Sequence, residues 1–252
     1  RVRINPDTFE PRFKVIGCEL WSDESGFEET ITQTGITGIC GSGIIEALAE
    51  MYLTGLISQD GVIDGAMSAK SPRVVIEGRT FSYVLHEGDV PIRVTQNDVR
   101  AIQLAKAALY AGIRLLMDKM RVNSVDRIRL AGAFGSHIDV KYAMVLGMIP
   151  DCNLDYVDAA GNAAGTGARI TLLDRKARTE LEDVVRRVEK IETAVEPSFQ
   201  SHFVEAMALP HKTDPFPNLS AVVELPPAKV GNTEGMGGDR RRSRRRSRRT
   251  AK

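Results

Sequence analysis

Three glycine-bearing turns hold the residues best suited to chemistry: Gly38-Ile-Cys-Gly-Ser-Gly43, Gly132-Ala-Phe-Gly135 and Gly161-Asn-Ala-Ala-Gly-Thr-Gly167. Glycine keeps side chains out of the way, and the first N–H groups of a helix have no partner within it. A turn of this kind at a helix head therefore brings backbone donors close to a nucleotide or another anion. Taken singly, each turn is equally an ordinary connection. Three in one chain point to one site assembled from several directions. Other chemistry is sparse. His86, His137, His202 and His211 are scattered, with no HxxxH or His–Cys pairing, and there is no Walker-type GxxxxGKS/T. Acidic pairs lie in charged helices, where a solvated face is the default.

The elements that must position these turns can be read from periodicity. Ile128, Leu130 and Ala131 form a short buried strand running into Gly132, and Asp139 is placed to cap the next helix. Ser42 is placed to cap a helix over Ile44–Leu53, with Gly55 closing it. Asn162 does the same for a helix through Ala163, Gly167 and Leu172, whose small residues imply close packing on another helix. Thr95 and Asp98 suggest a capping box, Asp replacing the usual Glu or Gln. The long helix that follows carries an apolar stripe of Val99, Ile102, Ala105, Leu109, Ile113, Leu116 and Met120. Arg100, Gln103 and Lys106 share a neighbouring face, which reads as solvated unless it lines a cleft. Arg1–Ile4 and Phe13–Ile16 read as strands, Val74 to Val94 as an antiparallel meander, and 175–195 as an amphipathic helix with Leu181, Val184, Val185, Val188 and Ile191 inward.

The chain has 252 residues, 42% of them hydrophobic, enough for a sizeable core. Its net charge of +1 hides an asymmetry: residues 239–252 hold nine Lys/Arg against one Asp, leaving 25 basic against 32 acidic residues in the body. The arginine-rich stretch has nothing apolar to bury and is expected to be a disordered tail able to touch polyanions. Residues 211–238, rich in proline and glycine, read as a linker or surface wrap. No apolar run approaches membrane-spanning length. Cys18, Cys40 and Cys152 are odd in number and far apart, neither a disulfide framework nor a metal pair, which suits a reducing, cytoplasmic compartment. Arg1 stands in mid-pattern, so the chain reads as the C-terminal part of something longer.

Gly38-Ile-Cys-Gly-Ser-Gly-Ile-Ile45, Gln103-Leu-Ala-Lys-Ala-Ala108, Ala131-Gly-Ala-Phe-Gly-Ser-His-Ile-Asp139 and Gly161-Asn-Ala-Ala-Gly-Thr-Gly-Ala168, in this order, resemble the C-terminal part of the reductive activators of corrinoid proteins. Those belong to the superfamily of acetate and sugar kinases, heat-shock chaperones and actin. The resemblance runs from residue 1 to about Pro210. It implies an α/β, ribonuclease-H-like (actin-like ATPase) lobe, here a partial domain, with a small β-rich insertion over 62–94. It also implies ATP with Mg²⁺, a 2Fe–2S cluster in an N-terminal domain that these residues lack, and return of Co(II) corrinoid to Co(I). The implied partner is a corrinoid protein or corrinoid-dependent methyltransferase, with a homodimer as a further expectation.

Carried across, Gly132, Ala133, Phe134 and Gly135 form the adenosine turn. Gln103 and Lys106 border the adenine or ribose, and Gly41, Ser42 and Gly43 lie near the phosphates. The two acidic DxGT-like loops that hold Mg²⁺ are absent here and are expected upstream, so about half of the nucleotide cleft is present. No catalytic base is evident. A small-molecule kinase of the same superfamily and a non-catalytic interaction module remain the rival readings.

Overall fold

The computed structural model describes residues 1–32 and 35–227. The expected polyanion-binding tail, 239–252, and the end of the 211–238 segment lie outside the described residues. Strands β1 (Val2–Ile4) and β2 (Pro11–Phe13) pair antiparallel, with Ile4 opposite Pro11. The second strand thus starts two residues before the Phe13–Ile16 run, since Pro11, which has no N–H, fits the last rung of a short ladder. A short helix, α1 (Phe27–Ile31), packs with Cys18 into a small satellite core.

Helix α2 (Gly41–Leu53) is the centre of the main core, buried continuously from Ile45 to Tyr52. Its N-cap is Cys40 rather than Ser42: the Cys40 sulfur accepts the Gly43 N–H at 3.4 Å. Two glutamates, Glu46 and Glu50, lie on its buried face one turn apart, and both are drawn toward β1. Strands β3 (Val74–Glu77), β4 (Thr80–His86) and β5 (Ile92–Thr95) form an antiparallel sheet in that order.

Helix α3 (Gln96–Met120) starts on the capping box. Thr95 Oγ1 accepts the Asp98 N–H at 3.1 Å, and the Asp98 carboxylate accepts the Thr95 N–H at 2.9 Å. Its buried face differs from the apolar stripe read from periodicity. Val99, Gln103, Lys106, Ala107, Tyr110, Ala111, Leu115 and Met117 face inward, whereas Leu109, Leu116 and Met120 are 47%, 53% and 72% exposed. Gln103 and Lys106 overturn the solvated-face reading because main-chain carbonyls meet their donors inside the protein.

Strand β6 (Ile128–Ala131) runs parallel to β7 (Val157–Gly161); between them lie α4 (Ala133–His137) and α5 (Val140–Val145), the latter capped by Asp139. Helix α6 (Ala163–Leu173) is capped by Asn162, whose side chain accepts the Gly165 N–H at 2.9 Å. Then come α7 (Arg175–Val185), α8 (Phe199–Glu205) and α9 (Pro217–Ser220). Two expectations are corrected here. Helix α6 buries none of its residues and packs chiefly on α7. Helix α7 stops at Val185, and Leu181, Val184, Val185 and Val188 point outward. Parallel sheets are normally covered on both faces. Among the described residues this one has two strands, and apolar residues of α3, α6 and α7 stand exposed.

Candidate functional site

The three glycine turns meet. The Gly132 N–H donates to the Gly161 carbonyl at 2.7 Å, which ties the turn after β6 to the turn after β7. The Phe134 ring lies 3.2 Å from where a Cβ on Gly41 would stand, which seats the second turn against the first. Two glycines are required by these contacts. Gly132 has φ +98°, a conformation other residues rarely adopt, and a Cβ on Gly135 would come within 2.9 Å of Leu130 Cβ and 3.0 Å of its backbone. The short helix α4 therefore folds back hard on β6, leaving Ala133 exposed and Phe134 half in solvent. Gly41 is exposed, Ser42 half-buried and Gly43 buried against Ile39.

Cys40 stands where the first turn enters α2. Burial pushes its thiol up, but hydrogen bonds from Ser42 and the Gly43 N–H outweigh that and bring it below its ordinary value. A cavity of about 270 Å³ opens beside it, lined by Phe13, Ile36, Gly38, Cys40, Leu85 and Ile92. Across the Arg1–Lys14 rung lies an open cleft that reaches Trp21, His137 and Asp139.

A charge network that the sequence had not signalled holds the first two turns in register. Arg1 reaches Glu46 at 2.6 Å and Asp139 at 3.1 Å, so it bridges the helix of the first turn to the cap that follows the second. Arg3 adds a 2.7 Å bond to Glu46 and sits over the Tyr142 ring, whose hydroxyl donates to Glu50. Burial raises the Glu46 pKa, but the Val2 N–H, Arg1 and Arg3 together hold the carboxyl below its usual range. The available signal was two acids at i, i+4 on an otherwise apolar helix opposite an Arg-x-Arg strand.

Gln103 and Lys106 are not brought to the turns' open side. Both are buried, 2% and 1% exposed. The Gln103 amide donates to the carbonyls of Asp60 and Met207, and the Lys106 ammonium to those of Ala208 and Pro210. Among the described residues no group of three or more His, Cys, Asp or Glu is placed to hold a metal ion. The glycine backbone at the turns and the half-exposed Phe134 ring suit an adenosine. The described residues offer Mg²⁺ no comparable set of oxygens.

Over residues 1–220 the chain matches the family described as the C-terminal domain of RACo, the ASKHA domain. It is 36% identical over 196 residues to the corrinoid activation enzyme RamQ of Eubacterium limosum, an alignment covering 73% of this chain and 32% of that protein. Among solved structures it resembles a reductive activator for corrinoid, iron–sulfur protein, with a TM-score of 0.68 and 30% sequence identity over 84% of this chain and 32% of that one. At that level of likeness the two share a fold. The chain spans 32% of the length of either relative.

Proposed function

Because this chain belongs to the family of RACo C-terminal ASKHA domains, we propose that it forms the adenosine-side lobe of an ATP-dependent reductive activator, one that returns Co(II) corrinoid proteins to Co(I). The observation that carries this reading is the meeting of three glycine turns through the Gly132–Gly161 hydrogen bond and the Phe134–Gly41 contact. In this reading residues 1–210 are the lobe and 62–94 its β-rich insertion, and the arginine-rich sequence of 239–252 offers positive charge to polyanions.

Gly132, Ala133 and Gly135 present backbone to the nucleoside, and the Phe134 ring offers an apolar face to the base. The N–H groups at Gly41 and Ser42 head a helix directed at the phosphates, with Gly43, whose N–H is held by the Cys40 sulfur, packed just behind them. Gln103 and Lys106 act one layer behind, since their donors are already committed to carbonyls. Mg²⁺ is held by oxygens outside this chain's described residues. When bound, ATP supplies the free energy of closure, and a 2Fe–2S cluster elsewhere in the protein supplies the electron that cobalt accepts. This chain's residues orient the nucleoside and transmit closure through Arg1, Glu46 and Asp139. The partner is a corrinoid protein and the compartment the cytoplasm, with two copies of the activator associating. No helix among the described residues is long and apolar enough to cross a membrane.

The test is Ala133→Trp in the protein of relative length, assayed by the cobalt absorption spectrum of a Co(II) corrinoid protein with ATP and a low-potential reductant. Loss of ATP-dependent reduction, with the fold intact by circular dichroism, is expected. Unchanged reduction would overturn the placement of adenosine at this turn.

A further inference from the structure

The segment Met207–His211 is held almost wholly by its carbonyls. Met207 O accepts from the Gln103 amide at 2.9 Å, Ala208 O and Pro210 O from the Lys106 ammonium, the latter at 2.8 Å, and His211 O from Gln59 at 3.2 Å. Its own Leu209 N–H donates to Gln59 O at 2.9 Å. On the opposite side the Pro210 carbonyl lies where a Cβ on Gly147 would stand, 1.9 Å away. The segment seals the main core with Leu209, which is 1% exposed.

Lys106 is an unusual anchor for such a strap. Among the described residues it makes no ion pair, so a buried ammonium rests on neutral dipoles alone. Among the described residues the charged and titratable groups on the elements around it make no ion pair with it. On α3, Tyr110 donates to Asp214 at 2.8 Å, and Arg114 lies 3.7 Å from the same carboxylate. Glu205 on α8 takes the Lys212 N–H on its backbone carbonyl, and Asp151 holds the start of α9. His211 stacks on Tyr110 at 4.7 Å; its Nδ1 accepts the N–H groups of Thr213 and Asp214, and its buried Nε2 has no partner. Among the described residues no carboxylate pairs with Lys106.

We propose that residues 207–211 form a proton-sensitive strap, closed most tightly when Lys106 is neutral and loosened when it is charged. A neutral amine still donates to both carbonyls, whereas an ammonium must leave water to do so without a counter-charge. Burial alone draws the Lys106 pKa from 10.5 down to about 7. A strap that opens returns Lys106 to water and to its ordinary value. Opening therefore takes up a proton between those two values, and closure strengthens as pH rises through that window. Below the lower value both states are protonated and the dependence ends. His211 moves in the same direction: burial, partly opposed by Asp214, lowers its pKa below the ordinary histidine value.

Hydrogen exchange on the protein tests this, read as protection factors so that the intrinsic pH dependence divides out. For amides 207–214 protection is expected to rise about 20-fold between pH 6.5 and 8.5, with amides of α2 as an internal control that stays level. Lys106→Met should abolish the rise. Lys106→Arg, charged throughout, should hold protection at the wild-type low-pH level at both pH values. Gln103→Leu should lower protection at both while keeping the slope. A wild-type strap equally protected at pH 6.5 and 8.5, or a rise that persists in Lys106→Met, would overturn the proposal. None of these readouts depends on nucleotide, so they stand apart from the activator reading.

Discussion

Removing the Glu46 carboxylate should detach the N-terminal hairpin from α2. Glu46 is 1% exposed and accepts three donors: the Val2 N–H at 2.9 Å, Arg3 Nη1 at 2.7 Å and Arg1 Nη1 at 2.6 Å. The three losses are unequal. Arg1 and Arg3 have side chains 49% and 28% exposed, so water replaces much of what they lose. The buried Val2 N–H has no such recourse, and an orphaned buried donor costs about 1–3 kcal/mol. Adding a discounted contribution of about 1 kcal/mol for the two charge-assisted bonds, Glu46→Ala should cost about 3 kcal/mol. Glu46→Gln keeps an acceptor for Val2 and should cost about half as much. Urea unfolding at pH 7, followed by fluorescence, suits the question. The single tryptophan, Trp21, stands beside the hairpin, with Arg12 4.7 Å and Lys14 5.4 Å from its ring. Because the folded Glu46 pKa is depressed, this stability is present above the ordinary glutamate range and is lost as pH falls through the folded value. The gap between wild type and Glu46→Ala should therefore narrow in acid. A cost below about 1 kcal/mol, or Gln and Ala variants of equal stability, would refute the reasoning.

Gly147→Ala should destabilise by at least about 3 kcal/mol, since its φ of +69° is unfavourable for alanine and the new Cβ would overlap the Pro210 carbonyl; thermal unfolding reads it directly, and a near-neutral result would mean that the strap can shift bodily. Asp151→Ala should cost about 1–2 kcal/mol, because its carboxylate accepts the N–H groups of Asn218 and Leu219 at 3.0 Å each and caps α9 from outside the helix. Amide exchange should rise over 217–223 in that variant and leave β3–β5 unchanged.

Local signals carried much of the architecture. The capping box at Thr95, the Asn162 and Asp139 caps and the glycine turns all depend on contacts within a few residues, so spacing alone reveals them. The side of α3 that turns inward depended on partners a hundred residues away. Periodicity favours the leucine stripe, but the carbonyls of 207–210 draw Gln103 and Lys106 inside, and the stripe is left outward. Glu46 and Glu50 were misleading for the same reason: acids on a helix look solvated until a strand edge is laid across them. At the glycine turns the sequence showed the parts. It could not show that Phe134 lies over Gly41, because that contact spans two turns about ninety residues apart.

The two carboxylates of α2 also decide what β1 can do next. A strand at a sheet margin offers a row of free N–H groups to any other strand that approaches. Here β2 takes one side of β1, and Glu46 and Glu50 occupy the outward N–H groups of Val2 and Ile4 on the other. Strand β1 is thus closed on both sides to a foreign chain, with two acids in the place of a neighbouring strand. The parallel pair β6–β7 has no such guard among the described residues, so a strand that extends that sheet can add at its edges.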